Sequence, residues 1–456
     1  MKDLTQGSIP RTIISMAAPV AAGMIFQTLY LLVDLYFVAA LGDDSVAGVG
    51  AGGTLMFMIM ALTQILGVSA VAMISQAVGR KDREHANLVF NQSLMVAALF
   101  ALVTLVGGYA AADAYMRGVA SDEGAVREGV IFLHWFLPGM ALQFPLMAMS
   151  SSLRATGLVK PGMVVQVLTV VLNTVLAPIM IAGWGPGPAL GVMGAGLASS
   201  ISVFVGVLLL TGYFIKLEKY VAFETALWKP RVDIWTRMFN IGLPAGGEMV
   251  LLFVYFSAVY WLIADFGAAA QAGFSIGGRI MQSIFMPTMA IAFALGPIVG
   301  QNYGAGRHDR VRETYFKGIA LSSALMLLVT ILMQWKPELL VMAFTGEAEV
   351  IEVGAVFLQL ISLNFIAQGI VFSSSGVFQG LGNTRPAMLS SLIRVLVFLP
   401  LAVYFKYQSD YHINQVWYVS ILSVTAQALA GYLLVRREFR LRLQPAAPAS
   451  PAATGI

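Results

Sequence analysis

The sequence predicts an all-α integral membrane protein, with twelve transmembrane helices in two parallel-repeat six-helix lobes around a central cavity. Three observations lead there. Of the 456 residues, 58% are hydrophobic and only 11% are charged, whereas soluble domains carry about 25% charged residues. Apolar stretches of spanning length recur about twelve times, so nearly the whole chain lies in or beside a bilayer. Finally, the chain repeats itself at an offset of 225 residues: Pro19 matches Pro244, Gln76 matches Gln301, Gly79 matches Gly304, Gly129 matches Gly354, Gln143 matches Gln368, Gly157 matches Gly382, Pro161 matches Pro386 and Met163 matches Met388. One register that holds across six helices is more than shared hydrophobicity produces. Six helices per copy is an even number, so both copies run the same way through the membrane, related by an axis along its normal.

In chain order, helices are expected near 12–40, 46–78, 88–112, 127–152, 161–183 and 190–216, then near 235–264, 268–302, 314–335, 350–379, 386–406 and 414–435. This gives an amino-terminal lobe over 1–216 and a charged linker over 217–234. A carboxy-terminal lobe follows over 235–440, and a Pro/Ala-rich, disordered tail over 441–456,. The first apolar run is too long for a signal-peptide core and is read as a retained helix. Lys and Arg number 21 in the loops on the side of the amino terminus and 4 on the other side. The positive-inside rule then places both termini in the cytoplasm, with a bacterial inner membrane as the expected location.

Composition also excludes functions. With no cysteine there is neither a disulfide nor a thiolate metal site, and His85, His134, His308 and His412 are scattered without metal-ligand spacing,. No Gly-rich stretch ends in Gly-Lys-Ser/Thr, so the chain itself is not expected to hydrolyse ATP. The net charge of +4 resides in membrane-flanking loops and argues for lipid rather than nucleic acid as a partner. No cofactor or metal is expected beyond a coupling ion. One chain supplies both lobes, which points to a monomer.

The first helix carries Asp34 in the middle of apolar sequence. A carboxylate near a helix centre costs roughly 2.5–3.5 kcal/mol on insertion scales. It can snorkel to headgroups or pair with another helix; the reading taken is an ion-binding switch. Gln27 and Tyr30 lie two turns and one turn earlier on the same face. Pro19 and Gly23 loosen the preceding half of the helix, with Pro244 the matching proline in the second copy. Asn173 adds an amide just before Pro178, where a bent helix with freed carbonyls can help bind an ion.

Phe57, Met60 and Gln64 share one helical face, and the offset turns them into Gln282, Phe285 and Met289, the same residue types permuted,. Aromatic faces attract cations and Met adapts its shape, so these six are expected to line a cavity for flat, apolar organic cations. Glu248 is a second intramembrane carboxylate. Arg279 and Arg394 are the intramembrane cations, and pairing Glu248 with one of them would lower the cost of both; the alternative is a second coupling site at Glu248. The loops Gly79-Arg-Lys-Asp-Arg and Gly304-Ala-Gly-Arg-His-Asp-Arg end helices and face water, or latch the gate through ion pairs.

Taken together, Pro19 to Gly42 with Val33-Asp34, the matched loops, Arg154-Ala-Thr-Gly157, Gln379-Gly-Leu-Gly-Asn-Thr-Arg-Pro386 and Leu172-Asn173 before Pro178 resemble the multidrug and toxic compound extrusion transporters. The resemblance covers roughly residues 5–440. It implies a V of two six-helix lobes and export of organic cations in exchange for H⁺ or Na⁺. It also implies a coupling site in the first lobe, here Asp34 with Asn173. Where DinF-like members carry Asp, this chain has Ala177; losing that oxygen favours H⁺ over Na⁺. In NorM-like members second-lobe carboxylates are implicated. Gln368 falls near one of those positions, and Glu248 about a turn from another; both, with Arg279, are expected to join the substrate-cavity lining. A lipid-linked oligosaccharide flippase is the alternative, but only Arg279 and Arg394 could supply its cationic cavity. A membrane-embedded enzyme has only His134 as a candidate catalytic residue, so no enzyme is expected.

Overall fold

The computed structural model of the chain describes residues 1–120, 122–184 and 187–443, with the backbone but not the side chains of 27–35. Within these residues every regular element is helical. The first half comprises α1 (Ile9–Ala39), α2 (Asp43–Gly53), α3 (Leu55–Gly79), α4 (Arg83–Val119), α5 (Glu123–Ala155), α6 (Val159–Ala182) and α7 (Val192–Lys216). The second comprises α8 (Val232–Ile263), α9 (Ala268–Gly304), α10 (His308–Trp335), α11 (Glu338–Met342), α12 (Ala348–Ile361), α13 (Phe365–Leu381), α14 (Arg385–Lys406) and α15 (Ile413–Arg442). Twelve segments among the described residues are long and apolar enough to cross a membrane.

Two helices expected to be continuous are broken. Gly52-Gly53-Thr54 separates α2 from α3, because glycine is a poor helix former and Thr54 turns its hydroxyl onto the Ala51 carbonyl,. In the second half, the turn Ser362–Asn364 separates α12 from α13, with the Ser362 hydroxyl donating to the Gln359 carbonyl at 2.8 Å. The linker is also more ordered than its charge suggests. Asn87, Asn91 and Gln92 on α4 accept the backbone N–H groups of Ala222, Glu224 and Arg231 at 2.8–3.0 Å.

The first lobe packs around Phe90, Phe144 and Phe214, with Phe90 stacked on Phe214 at 4.8 Å. The second packs around Phe274, Phe357 and Trp417. A third cluster joins them: Leu4, Ile9, Ile13, Met16 and Ala17 pack on Ala290, Ala294, Leu295 and Ile298 of α9. In the reciprocal arrangement α8 lies against α3. There a Cβ on Gly242 would stand 2.4 Å from the Ile65 carbonyl oxygen, so glycine is what permits the approach. Each repeat therefore lends its first helix to the other.

Candidate functional site: the cleft between the repeats

α3 and α9 meet at the end of the molecule that carries the amino terminus and the end of α15, and they meet as symmetric partners. A Cβ on Gly79 would lie 2.1 Å from the Gln301 carbonyl oxygen, and one on Gly304 would lie 2.1 Å from that of Gln76. These backbones touch only because neither glycine has a side chain. One turn further in, Ser75 abuts Gly300, and Val71 abuts Gly296. Both of these inner contacts join residues 225 apart.

The seal is polar as well as tight. Gln76 donates its side-chain amide to the Gly380 carbonyl and Gln301 donates to that of Ala155, each at 2.9 Å. The amino-terminal segment then straps over the junction. The Leu4 N–H donates to Gln301 Oε1 at 2.9 Å, Lys2 N–H donates to the Thr156 carbonyl, and Arg307 donates to that of Thr5. Leu4 itself is fully buried.

Moving away from the seal, the same helix faces open progressively. Gln64 and Met289 are half-buried, and so is Phe285, whereas Met60 is exposed; Phe57 and Gln282 are both exposed. The exposure of these six residues thus rises with distance from the seal along α3 and α9. Phe57 still reaches Phe253 of α8 at 6.2 Å between ring centroids. Phe285, on the other side, turns into the second lobe against Phe365 and Phe372.

In the first lobe, Asn173 is buried and donates to Ser199 on α7 at 3.1 Å. Two turns earlier on α6, Gln166 brings its Oε1 to where a Cβ on Gly23 would be only 3.0 Å away. Gly23 therefore serves close packing of α1 on α6. Gln166 was missed by sequence reasoning, although its spacing of seven from Asn173 puts both amides on one face. Asp34, Gln27 and Tyr30 lie outside the described side chains.

The hinge expectations divide. α1 runs unbroken through Pro19. Pro178 lies in the last turn of α6, which ends at Gly183 in the left-handed region (φ 70°) with its N–H on the Pro178 carbonyl. Pro244 sits between Gly242 and Gly246, both pressed on Ile65, so this part of α8 is clamped rather than free.

Two expectations for the second lobe are corrected. Glu248 pairs with neither arginine; its carboxylate accepts from the Ser375 hydroxyl at 3.1 Å. Arg394 instead lies over the Tyr255 ring at 3.8 Å, and Arg279 is exposed on α9. The geometry explains this, since Tyr255 stands two turns beyond Glu248 on α8 and intercepts the guanidinium. Gln368 likewise does not face the cleft. It is buried beside a separate small cavity inside the second lobe.

The MatE family model matches residues 19–179 and 244–404, two stretches offset by 225 residues at both ends. The chain is 28% identical over 392 residues to the probable multidrug resistance protein NorM of Thermotoga maritima, covering 85% of this chain and 83% of that one. It is 24% identical over 423 residues to the multidrug export protein MepA of Staphylococcus aureus, covering 91% of each. Among solved structures, a MOP superfamily transporter from Pyrococcus furiosus superposes with a TM-score of 0.90 at 24% identity, covering 97% of this chain and 98% of that one. A sealed end built from a duplicated pair of helices and a family model that matches both copies converge: this chain belongs to the MatE family, the multidrug and toxic compound extrusion transporters.

Proposed function

We propose that this protein is a secondary antiporter that exports organic cations in exchange for H⁺, with Na⁺ the lesser candidate. It acts as a monomer in a bacterial inner membrane with its sealed end in the cytoplasm. The observation that carries the reading is the gradient of exposure along α3 and α9, from Gly79 and Gly304, each packed on the other helix's backbone, to Phe57 and Gln282, both exposed, which we read as a cleft closed at one end. Such a cleft offers substrate access from one side only, as alternating access requires. The names of the NorM and MepA relatives support a drug-like cargo, and the Phe, Met and Gln faces suit flat cations.

Coupling is assigned to Asp34, with Asn173 on α6 as its expected polar partner. Desolvation favours a neutral carboxyl, so protonation lowers the cost of repacking α1, while the cargo favours the ionised state. Only such a difference between states can couple the two fluxes. Arg394 is buried over Tyr255 and Arg279 stands apart, which disfavours a flippase with convergent cations. The test is ethidium efflux from proteoliposomes with pH and Na⁺ gradients imposed separately. A pH gradient alone is expected to drive efflux, and Asp34→Asn to abolish it; gradient-driven efflux unchanged by Asp34→Asn defeats the proposal.

A further inference from the structure

The amino-terminal strap and the ends of α3 and α9 border a cleft of about 650 Å³ that opens to solvent. Asp3 lines it from the strap, Arg80 and Lys81 from the end of α3, and Arg307 from beyond α9; Gly79 and Gly304 of the seal form part of its wall. All four charged side chains are exposed, so solutes reach them. None of the ion pairs among the described residues includes Arg80, Lys81 or Arg307. Arg307 donates one N–H to the Thr5 carbonyl at 2.8 Å, and Asp3 accepts from the Thr5 N–H and hydroxyl.

Lys81 stands out by its backbone. Among the described residues it alone, apart from glycines, has a positive φ, 60°. A side chain strains the backbone in that region. The second copy makes the same turn with Gly306, at the offset of 225 and with φ 70°. Each of the two donates its N–H three residues back, Lys81 to Val78 at 3.0 Å and Gly306 to Tyr303 at 3.1 Å. Glycine fits this turn without strain, so what lysine adds is its ammonium. Arg80 likewise replaces the second copy's Ala305.

Cations beyond a helix often serve its last carbonyls. Here the carbonyls of Gln76, Ala77 and Val78 already accept the N–H groups of Arg80, Asp82 and Lys81. α9 closes through the same three bonds, to Ala305, Arg307 and Gly306, with alanine and glycine in place of the two cations. Capping therefore does not account for Arg80 and Lys81. The two helix ends contribute about half a negative charge each. With Asp3 they still leave the balance of the cleft positive.

Arg80 and Lys81 come from one copy and Arg307 from the other, so an occupant with several anionic oxygens can span both. The room is that of roughly twenty waters at about 30 Å³ each, which suits a group of phosphates better than a single small ion. Guanidinium and ammonium groups together are suited to phosphate oxygens. From the charge, the room and the strained lysine we propose that this cleft binds a phosphate-bearing polyanion, which ties the two copies together at the sealed end. The shared chemistry is a multiply charged phosphate group, on a soluble molecule or on a lipid headgroup. The site does not rest on the role assigned to Asp34.

The test is calorimetric titration of inorganic triphosphate into the purified full chain in phosphatidylcholine nanodiscs. The buffer is metal-free and of low, fixed ionic strength, where exposed charges are least screened. One saturable site is expected, and its occupancy should raise the thermal unfolding midpoint. Lys81→Gly supplies the residue that suits the turn, so this variant should fold at least as well as the parent. It should nevertheless bind triphosphate roughly tenfold or more weakly. Arg80→Ala should act in the same direction. Asp3→Asn removes the opposing carboxylate and should tighten binding, an effect that a purely structural role for these residues does not produce. Discs doped with phosphatidic acid identify the source. Competition that an equal charge of phosphatidylglycerol fails to reproduce assigns the anion to a lipid headgroup, and triphosphate binding without such competition assigns it to a soluble molecule. Absence of saturable binding to the wild type overturns the proposal, and so does binding that Lys81→Gly leaves unchanged.

Discussion

Gln76 and Gln301 perform the same act from opposite sides of the molecule. Each donates its amide across the lobe boundary to a backbone carbonyl at 2.9 Å, and the two acceptors, Gly380 and Ala155, are themselves 225 residues apart. They differ in what reaches their own oxygens. Gln301 Oε1 accepts the Leu4 N–H at 2.9 Å, while Gln76 Oε1 is approached by Arg237 at 3.5 Å. Gln301→Leu should therefore loosen the seal more than Gln76→Leu. One buried hydrogen bond contributes about 0.5–1.5 kcal/mol net, so the sealed state should lose population several-fold. The chain has no cysteine, so spin labels at introduced pairs across the seal can report this directly by distance measurement.

Gly79→Ala and Gly304→Ala should act more strongly. A methyl group 2.1 Å from a carbonyl oxygen forces the α3 and α9 backbones apart, and overpacking of this kind costs about 1–3 kcal/mol. The same distance measurement should find the terminal end opened in either variant. Transport should fall while protein yield is retained, and an unchanged distance would refute the glycine contact as the closure.

Much of this was legible in the sequence. The repeat register put Gly79 beside Gly304 and Gln76 beside Gln301 in correspondence, and hydropathy alone gave the spans. What stayed hidden was reciprocal. No local pattern states that α8 leans on α3, or that Tyr255 rather than Glu248 meets Arg394. Those follow from which faces pack, and they depend on residues hundreds of positions away. Gln166 escaped because a lone amide in an apolar helix carries no charge to flag it. The breaks at Thr54 and Ser362 escaped because small polar residues are common inside membrane helices, where a hydroxyl on a preceding carbonyl, as at Ser69 and Ser152, leaves the helix intact,.

Leu4 is the anchor of the amino-terminal strap. It is fully buried, so Leu4→Ala should destabilise strap docking by about 2–5 kcal/mol. Thermal unfolding would show the loss. Deleting residues 2–7 should raise the fraction opened at the terminal end in the spin-label experiment.

The strap should be insensitive to pH over the physiological range. Hydrogen bonds from Thr5, chiefly its hydroxyl, hold the Asp3 carboxyl below its ordinary 3.8, with Arg307 adding to the effect. A lowered carboxyl contributes above its ordinary value and stops contributing as pH falls through the lowered one. Docking should be flat from pH 8 to 5 and weaken only in strong acid. Thr5→Val should move that weakening upward, toward 3.8. The mobility of a spin label at Gln6→Cys follows both cases.

Gln166→Leu keeps the bulk against Gly23 and removes the amide. It should reduce gradient-driven efflux while leaving expression and thermal unfolding near those of the parent. Equal losses of efflux and of stability would make Gln166 a packing residue only.

The cluster in which Ile9 and Ile13 rest on Ala294 and Ile298 also sets a schedule for biosynthesis. A ribosome adding about 5–20 residues per second needs roughly 15–60 s to pass from one set to the other. For that interval the first helix waits in the bilayer with its partner surface unmade, and the opening residues of the polypeptide are among the last to settle. Whatever insertase or chaperone attends this protein must shelter that helix until the ninth one arrives, and neither half should mature when synthesised alone.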